Sequence, residues 1–477
     1  MQKKIPWLSQ WTVNAKANVL AGMTATLALV PDSLAFSFMA GVPPVVGIYA
    51  SICILLVVTF LGGRPGMISA AAGSMAVLML SLVHEHGIQY LFAATVLTGI
   101  IQFLMGVFKL GKLMRFVPQG VLTGFINALA ILIFMSQLRY FTGESWLMYV
   151  LVAATLGIIY FLPRYFKAIP SPLVAVAVLT LAVWATGMPG VTRIGDIAAI
   201  DASLPAFLIP DIPFSWETLL IILPYSLSLA VVGYTETMLT HNLLDEMTGE
   251  RTDKNKEMRG QGVANVVSGF FGGMAGCALV AESVLNVKTG GRNRLSTLVA
   301  ALFLLALTVL FGDLLALIPM AALVGIMLMV CVAVFDWKSV FRLKSVPASE
   351  TVVMLVTVAA VLATHDLAVG VIAGVLVSFV WFVVKASRLQ IHSEWNGTTR
   401  TYQVQGQLFF ASAQTLEERI ELDCAAEAVR LDLTKSKVWD HTASLALDKT
   451  VESLQRNGKR VSVLRASDAS AGAIGRS

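Results

Sequence analysis

Residues Gly269–Leu295 read GFFGGMAGCALVAESVLNVKTGGRNRL. A Gly-rich run (Gly269, Gly272, Gly273, Gly276) interrupts hydrophobic sequence, a short apolar helix carrying Glu282 and Ser283 follows, and a basic loop from Lys288 to Arg294 closes the stretch. In a bilayer, broken backbone survives only where protein buries it or where it lines a wet cavity. A half-helix starting there points its free N–H groups and the positive end of its dipole at whatever occupies that cavity. Discontinuous helices of this kind form midplane binding sites in membranes. A Gly-rich packing face would account for the run alone. It does not account for the ionisable Glu282, nor for a similar break in the first half of the chain, GMISAAAGSMAVLML at Gly66–Leu80.

Composition places these breaks in a membrane. Of 477 residues, 57% are hydrophobic and 13% charged, and the mean hydropathy is +0.77. Soluble domains carry about 25% charged residues. The four cysteines (Cys53, Cys277, Cys331, Cys424) are scattered without metal-type spacing, so they imply neither a disulfide framework nor a metal site. Lys3 and Lys4 precede the first span without a small-residue cleavage site, and no removed signal peptide is expected.

Hydropathy with breaks at Gly, Pro and charge gives fourteen spans, near 17–37, 45–62, 66–83, 91–108, 117–138, 146–162, 171–187, 216–240, 260–273, 276–287, 295–311, 314–335, 350–364 and 367–386. Basic residues check the count. Loops after even-numbered spans hold Arg64; Lys109, Lys112 and Arg115; Arg164 and Lys167; Arg251, Lys254, Lys256 and Arg259; Lys288, Arg292 and Arg294; and Lys338, Arg342 and Lys344. Loops after odd-numbered spans hold little beyond Arg139 and Arg193. The positive-inside rule therefore makes both termini cytoplasmic. Two sevens give a 7+7 inverted repeat, in which the third span corresponds to the tenth.

After Lys385 the pattern changes. TYQVQGQLFFA (401–411), VRLDLT (429–434), a helix over 441–455 and RVSVL (460–464) alternate strand with helix. The expected domains are a transmembrane unit over 1–388 and a small, soluble α/β unit over 389–477. The soluble unit shows no Gly-rich nucleotide loop and no catalytic constellation, and nothing in the chain points to an enzyme or a nucleic-acid binder.

Charged groups at bilayer depth suggest function by default. Asp32 follows Pro31 in the first span. Glu236 lies in GYTETMLTH of the eighth, with Thr240 one turn later on the same face. Glu282 sits about six residues into the tenth. Asn127 and Gln137 read as helix-to-helix hydrogen bonders, His84, His86 and His241 as solvated histidines, and Asp245–Arg259 as a solvated cytoplasmic connector.

Several long motifs resemble the SulP family of anion transporters, the bacterial relatives of solute carrier family 26. They are PDSLAFSFMAGVPPVVGIYAS, RFVPQGVLTGFINALAILIF, GQGVANVVSGFFGGMAGCA, SVLNVKTGGRNRLST and THDLAVGVIAGV, with VRLDLTKSKVWDHTASLALDK resembling that family's STAS domain. The resemblance implies core and gate domains, a homodimer in the bacterial inner membrane, and a bicarbonate-, sulfate- or dicarboxylate-like anion as substrate. It implies an anion site between the half-helices of spans 3 and 10, formed by Phe36, Ala72, Gly73, Ser74, Gly276, Cys277, Ala278, Leu279, Glu282 and Ser283. Coupling to H⁺ or Na⁺ would fall to Glu236, Thr240 and Asp32, with any Na⁺ at Glu236 and Thr240, and no other cofactor. Two departures stand out. Glu282 replaces the family's frequent Arg or Gln, and Ala70–Ala72 replace the Thr of its sodium–bicarbonate branch. A nucleobase-type carrier on the same fold is the alternative within transport. Outside transport, the alternative is a membrane sensor acting through the STAS domain, with Thr434, Ser436 and Thr442 as phosphorylation sites. Caps and turns in a strand-to-helix loop explain those three residues more simply.

Overall fold

The computed structural model describes residues 9–110, 118–142, 145–165, 171–197, 204–342, 345–420 and 426–464. Lys3, Lys4, Lys112, Arg115, Lys167, Lys344 and Cys424, used above for charge and cysteine arguments, lie outside them. The chain divides into two compact units, Met1–Gly374 and Val375–Ser477.

The first unit is built from helices α1 (Ala15–Met39), α2 (Pro44–Leu61), α3 (Gly73–His86), α4 (Ile88–Val107), α5 (Gln119–Leu138), α6 (Trp146–Tyr165) and α7 (Ser171–Thr186). These are followed by α8 (Trp216–Thr248), α9 (Lys254–Phe270), α10 (Val280–Lys288), α11 (Arg294–Ala316), α12 (Met320–Val334), α13 (Ala348–Thr364) and α14 (Leu367–Ala386), which runs into the second unit. Prolines set several starts. Pro44 is the first residue of α2, and Pro118, Pro319 and Pro347 immediately precede α5, α12 and α13, where no intrahelical N–H bond is lost. Among the described residues, eight helices are long and apolar enough to cross a bilayer, and α7, α12 and α13 are shorter apolar helices. The breaks expected in spans 3 and 10 are present as short strands, β1 (Ser69–Ala71) and β2 (Gly276–Ala278), each leading into a half-helix. The expected fourteen crossings thus rest partly on short and broken elements rather than on fourteen full-length helices.

Packing repeats between the halves. The α9–α4 contact has its counterpart in α2–α11, α11–α1 in α4–α8, α10–α1 in α3–α8, and α12–α6 in α5–α13. Small residues make the tightest crossing possible: a Cβ on Gly99 of α4 would stand 2.5 Å from the Gly262 oxygen of α9. Without a hydrophobic drive between helices in lipid, such close backbone approach is the main source of packing energy.

The second unit carries a four-stranded sheet, in the order β3 (Gln390–Trp395), β4 (Thr399–Leu408), β5 (Ala428–Val438), β6 (Arg460–Leu464). The β3–β4 pair is antiparallel and the other two are parallel, with Tyr402 opposite Leu431 and Leu431 opposite Val463. Helices α15 (Ala413–Arg419) and α16 (His441–Arg456) contribute Leu416, Leu447 and Leu454 to a core with Tyr402, Val404, Leu431 and Leu433. Strand β3 was absent from the sequence reading because it is an exposed edge strand with no apolar alternation. Thr434 and Ser436 lie inside β5 rather than in a loop. Thr434 donates to Asp432 Oδ1 through both its N–H and its hydroxyl, and Ser436 Oγ donates to Val404 O.

Candidate functional site

Strands β1 and β2 pair antiparallel, Ser69 with Ala278, Ala70 with Cys277 and Ala71 with Gly276. Each strand runs directly into its half-helix, so α3 and α10 leave the pair in opposite directions with their N-termini toward it. The approach is too close for any side chain at Gly276, where a Cβ would collide with the Ala70 oxygen. Phe36 of α1 lies against the start of α3, since a Cβ on Gly73 would stand 2.7 Å from its Cε1.

Helix α8 holds the strands from the side. The Ala278 N–H donates to Thr237 Oγ1 (3.3 Å), while Thr240 Oγ1 donates to Ala278 O (3.2 Å) and to Glu236 O (2.9 Å). On the same helix, the Glu236 carboxylate accepts hydrogen bonds at Oε2 from Ser74 Oγ of α3 and from Cys277 Sγ of β2, the latter at 3.1 Å. Both halves of the repeat thus converge on one oxygen. Glu236 is half-buried, whereas Asp32 and Glu282 are 7% and 6% exposed.

The geometry revises which groups of the expected site remain available. The N–H of Gly276 donates to Asn265 Oδ1 (2.9 Å), that of Ala278 to Thr237, and that of Leu279 to Ile68 O (2.9 Å). These three serve strand pairing and its supports, not a ligand. Ser283 is similarly engaged: its Oγ accepts from Ile68 N (3.0 Å) and donates to Ile68 O (3.2 Å). The donors left uncapped by any side chain are those of the first turns, at Gly73 and Ser74 of α3 and at Val280 to Glu282 of α10. The sequence reading missed Asn265 and Gln261, whose amides both donate to Gly276 O at 3.0 Å, and Gln102, which accepts from Asn265 at 2.7 Å. Their only sequence signal is amides inside apolar helices.

A cavity of about 800 Å³ opens beside the site between α3, α5, α8 and the α13–α14 turn. Leu78, one turn after Ser74, and Ser228, two turns before Glu236, line it together with Arg139 and His365. Ser228 Oγ donates to Asp366 Oδ2 across it at 2.8 Å.

Beyond the other end of α8, the connector is solvated only in part: Glu246, Arg251, Asp253, Lys256 and Arg259 are exposed, but other groups turn inward. Arg64 is buried, pairs with Asp245 (3.3 Å) and Glu250 (2.6 Å), and donates to Leu244 O and Thr248 Oγ1. Buried Glu257 accepts from the N–H groups of Gly63 and Arg64 at 2.6 and 2.7 Å. His241 is fully buried, with Nε2 3.0 Å from Thr252 Oγ1, and not a solvated histidine. Charge alone could not reveal this: mixed acids and bases look the same whether they face water or each other. Asn127 does bond between segments, donating to Ser339 Oγ and accepting from Asp336 N, both at 2.8 Å.

Comparison with known proteins identifies the family of the chain. The Sulfate permease family is matched over residues 16–146 and 144–357, and the STAS domain over residues 390–474. The chain is 53% identical over 451 residues to the putative sulfate transporter YbaR of Bacillus subtilis, covering 94% of each chain. It is 28% identical over 510 residues to the bicarbonate transporter BicA of Picosynechococcus, covering 95% of this chain and 89% of that one. Among solved structures, the transmembrane domain of a cyanobacterial BicA matches at a TM-score of 0.69 and 26% identity, over 77% of this chain and 98% of that one. The structure of SLC26A9 matches at 0.81 and 18% identity, over 96% and 86%, a likeness of fold.

Proposed function

Because the chain belongs to the sulfate permease family and ends in a STAS domain, we propose that it is a secondary active transporter of a small inorganic or carboxylic anion. Family members are transporters, not enzymes. The anion is held between the first turns of α3 and α10, whose two dipole ends together offer about one elementary positive charge. The observation that carries the reading is the Glu236 carboxylate, half-buried at the strand crossing and hydrogen-bonded from both halves of the repeat. An anion entering beside an ionised Glu236 meets like charge in a medium of low dielectric. A proton on Glu236 removes that repulsion, so anion and proton enter together. H⁺ needs only the Glu236 carboxylate, whereas Na⁺ needs several oxygen ligands. Thr240 donates its hydroxyl proton to Glu236 O and Ala278 O, which fixes β2 on α8 and leaves its oxygen lone pairs open.

The cavity beside α3 and α8 is the access route on the outer side, and alternating access follows as the core helices move against α5–α7 and α12–α14. The protein works in the cytoplasmic membrane of a bacterium as a fourteen-span homodimer with both termini inside. The test is uptake of labelled bicarbonate, sulfate and fumarate into proteoliposomes under an inward H⁺ gradient, an inward Na⁺ gradient or neither. Accumulation of one anion under the H⁺ gradient is expected, and movement of none under any gradient would overturn the reading.

A further inference from the structure

Two side-chain donors at the crossing, Ser74 and Cys277, are spent on the protein's own anion. Ser74 Oγ–H belongs to the first turn of α3, where an incoming anion is expected, and Cys277 Sγ–H stands on the opposing strand; both donate to Glu236 Oε2. Ser74 and Cys277 are themselves buried, and Glu236 is the part-exposed member of the trio. A substrate anion reaching the first turns of α3 and α10 therefore finds the Ser74 hydroxyl and the Cys277 thiol already held by a carboxylate.

We propose that Ser74 and Cys277 are shared donors, held by the Glu236 carboxylate when the site is empty and passed to the substrate anion when Glu236 takes up a proton. Glu236 is then an internal competitor for the anion's place, and protonation removes the competitor and frees its two donors in one step. The step is one proton from water to a Glu236 carboxylate oxygen, with the Ser74 O–H and Cys277 S–H turning from that oxygen to the anion. No other bond changes. The inference rests on the reading of Glu236 as the coupling acid and adds which side chains touch the substrate.

The other charged groups on the elements packed against α8 are few. Glu282 of α10, buried like Asp32 of α1, is the carboxyl group near Glu236 and Cys277. On α3 the charged or titratable groups are His84, Glu85 and His86, and on α10 Lys288, all at the far ends of those helices. Helix α4 contributes Tyr90 near its start, and α9 contributes Lys254, Lys256, Glu257 and Arg259 in its first two turns. Helix α8 itself carries Glu217 at its start, Tyr225 and Tyr234 along its length, and His241, Asp245 and Glu246 in its last two turns, and Asp366 accepts from its Ser228.

A shared donor has a distinctive signature in the pH dependence of anion affinity. In the unaltered protein, competition makes the apparent affinity fall about tenfold per pH unit above the Glu236 midpoint and level off below it. Removing one shared donor weakens the anion and the carboxylate by the same factor. Cys277→Ala is then expected to lose about threefold in affinity on the low-pH plateau while matching the unaltered protein at high pH, because the two losses cancel there. Cys277→Ser, a stronger donor of nearly the same size, is expected to shift the plateau the other way. The measurement is the KM for labelled sulfate in proteoliposomes between pH 5 and 9, with fumarate or bicarbonate in its place if one of those is the anion accumulated. A parallel loss at every pH would mean that Cys277 is only structural. An unchanged plateau with tighter binding at high pH would mean that it serves Glu236 alone. A flat profile in the unaltered protein would remove the competition altogether. Each of these outcomes overturns the inference while leaving anion transport standing; failure of all three anions to move would instead remove the transport reading beneath it.

Discussion

Ser74 Oγ donates a hydrogen bond to Glu236 Oε2, fastening the first turn of the half-helix α3 to the middle of α8. A buried donor to a carboxylate contributes more than a neutral pair, about 1.5–3 kcal/mol. Ser74→Ala is expected to lower thermal stability of the detergent-solubilised protein by about that amount. Ser74→Thr, which keeps the hydroxyl, should recover most of it.

The strand crossing depends on the absence of one methyl group. At Gly276 a Cβ would overlap the Ala70 oxygen, which belongs to backbone and cannot swing aside. Gly276→Ala should therefore force β1 and β2 apart, detach Asn265 and Gln261 from Gly276, and abolish uptake. Normal uptake by this variant would show that the crossing is not needed for transport.

Arg64 joins the loop before β1 to the C-terminal end of α8 through Asp245, Glu250 and two further oxygens. Removing one partner of a buried pair leaves the others desolvated and uncompensated, at a cost of about 3 kcal/mol. Arg64→Ala is expected to show that loss in thermal unfolding, and Glu250→Ala much less, because Glu250 is 39% exposed.

Asp432 in the STAS unit carries a pH dependence whose sign is fixed. The Thr434 hydroxyl, and after it the Thr434 N–H, hold its carboxyl below the ordinary value near 3.8. A depressed carboxylate contributes stability that is fully present above the unfolded value and is lost as pH falls through the folded one. Unfolding of the full chain, followed by tryptophan fluorescence, should show a small loss of stability below about pH 4. Asp432→Asn should lack that acid component.

The two broken spans were legible because Gly and small residues stand out in apolar sequence, and β1, β2, α3 and α10 fall where Gly66–Leu80 and Gly269–Leu295 placed them. Glu236 and Thr240 were legible because polar groups at bilayer depth are costly and so conspicuous. Which N–H groups were available was not legible. Gly276, Ala278 and Leu279 looked like a helix start, but their N–H groups are taken by Asn265 of α9, Thr237 of α8 and the Ile68 oxygen before β1, partners outside the stretch that leave no local signal. Buried Arg64 was missed for a related reason, since its partners Leu244 and Thr248 lie 180 and 184 positions away; His241, whose partner Thr252 is 11 positions away, was missed because nothing local distinguishes a buried histidine from a solvated one.

The most direct test of the central claim compares H⁺-driven uptake with anion exchange in Glu236→Gln proteoliposomes. Glutamine keeps the side chain's size and its carbonyl oxygen for Ser74 and Cys277 but cannot gain or lose a proton. The expected result is loss of accumulation under an inward H⁺ gradient while exchange of labelled for unlabelled anion continues. Undiminished H⁺-driven accumulation by Glu236→Gln would contradict the account.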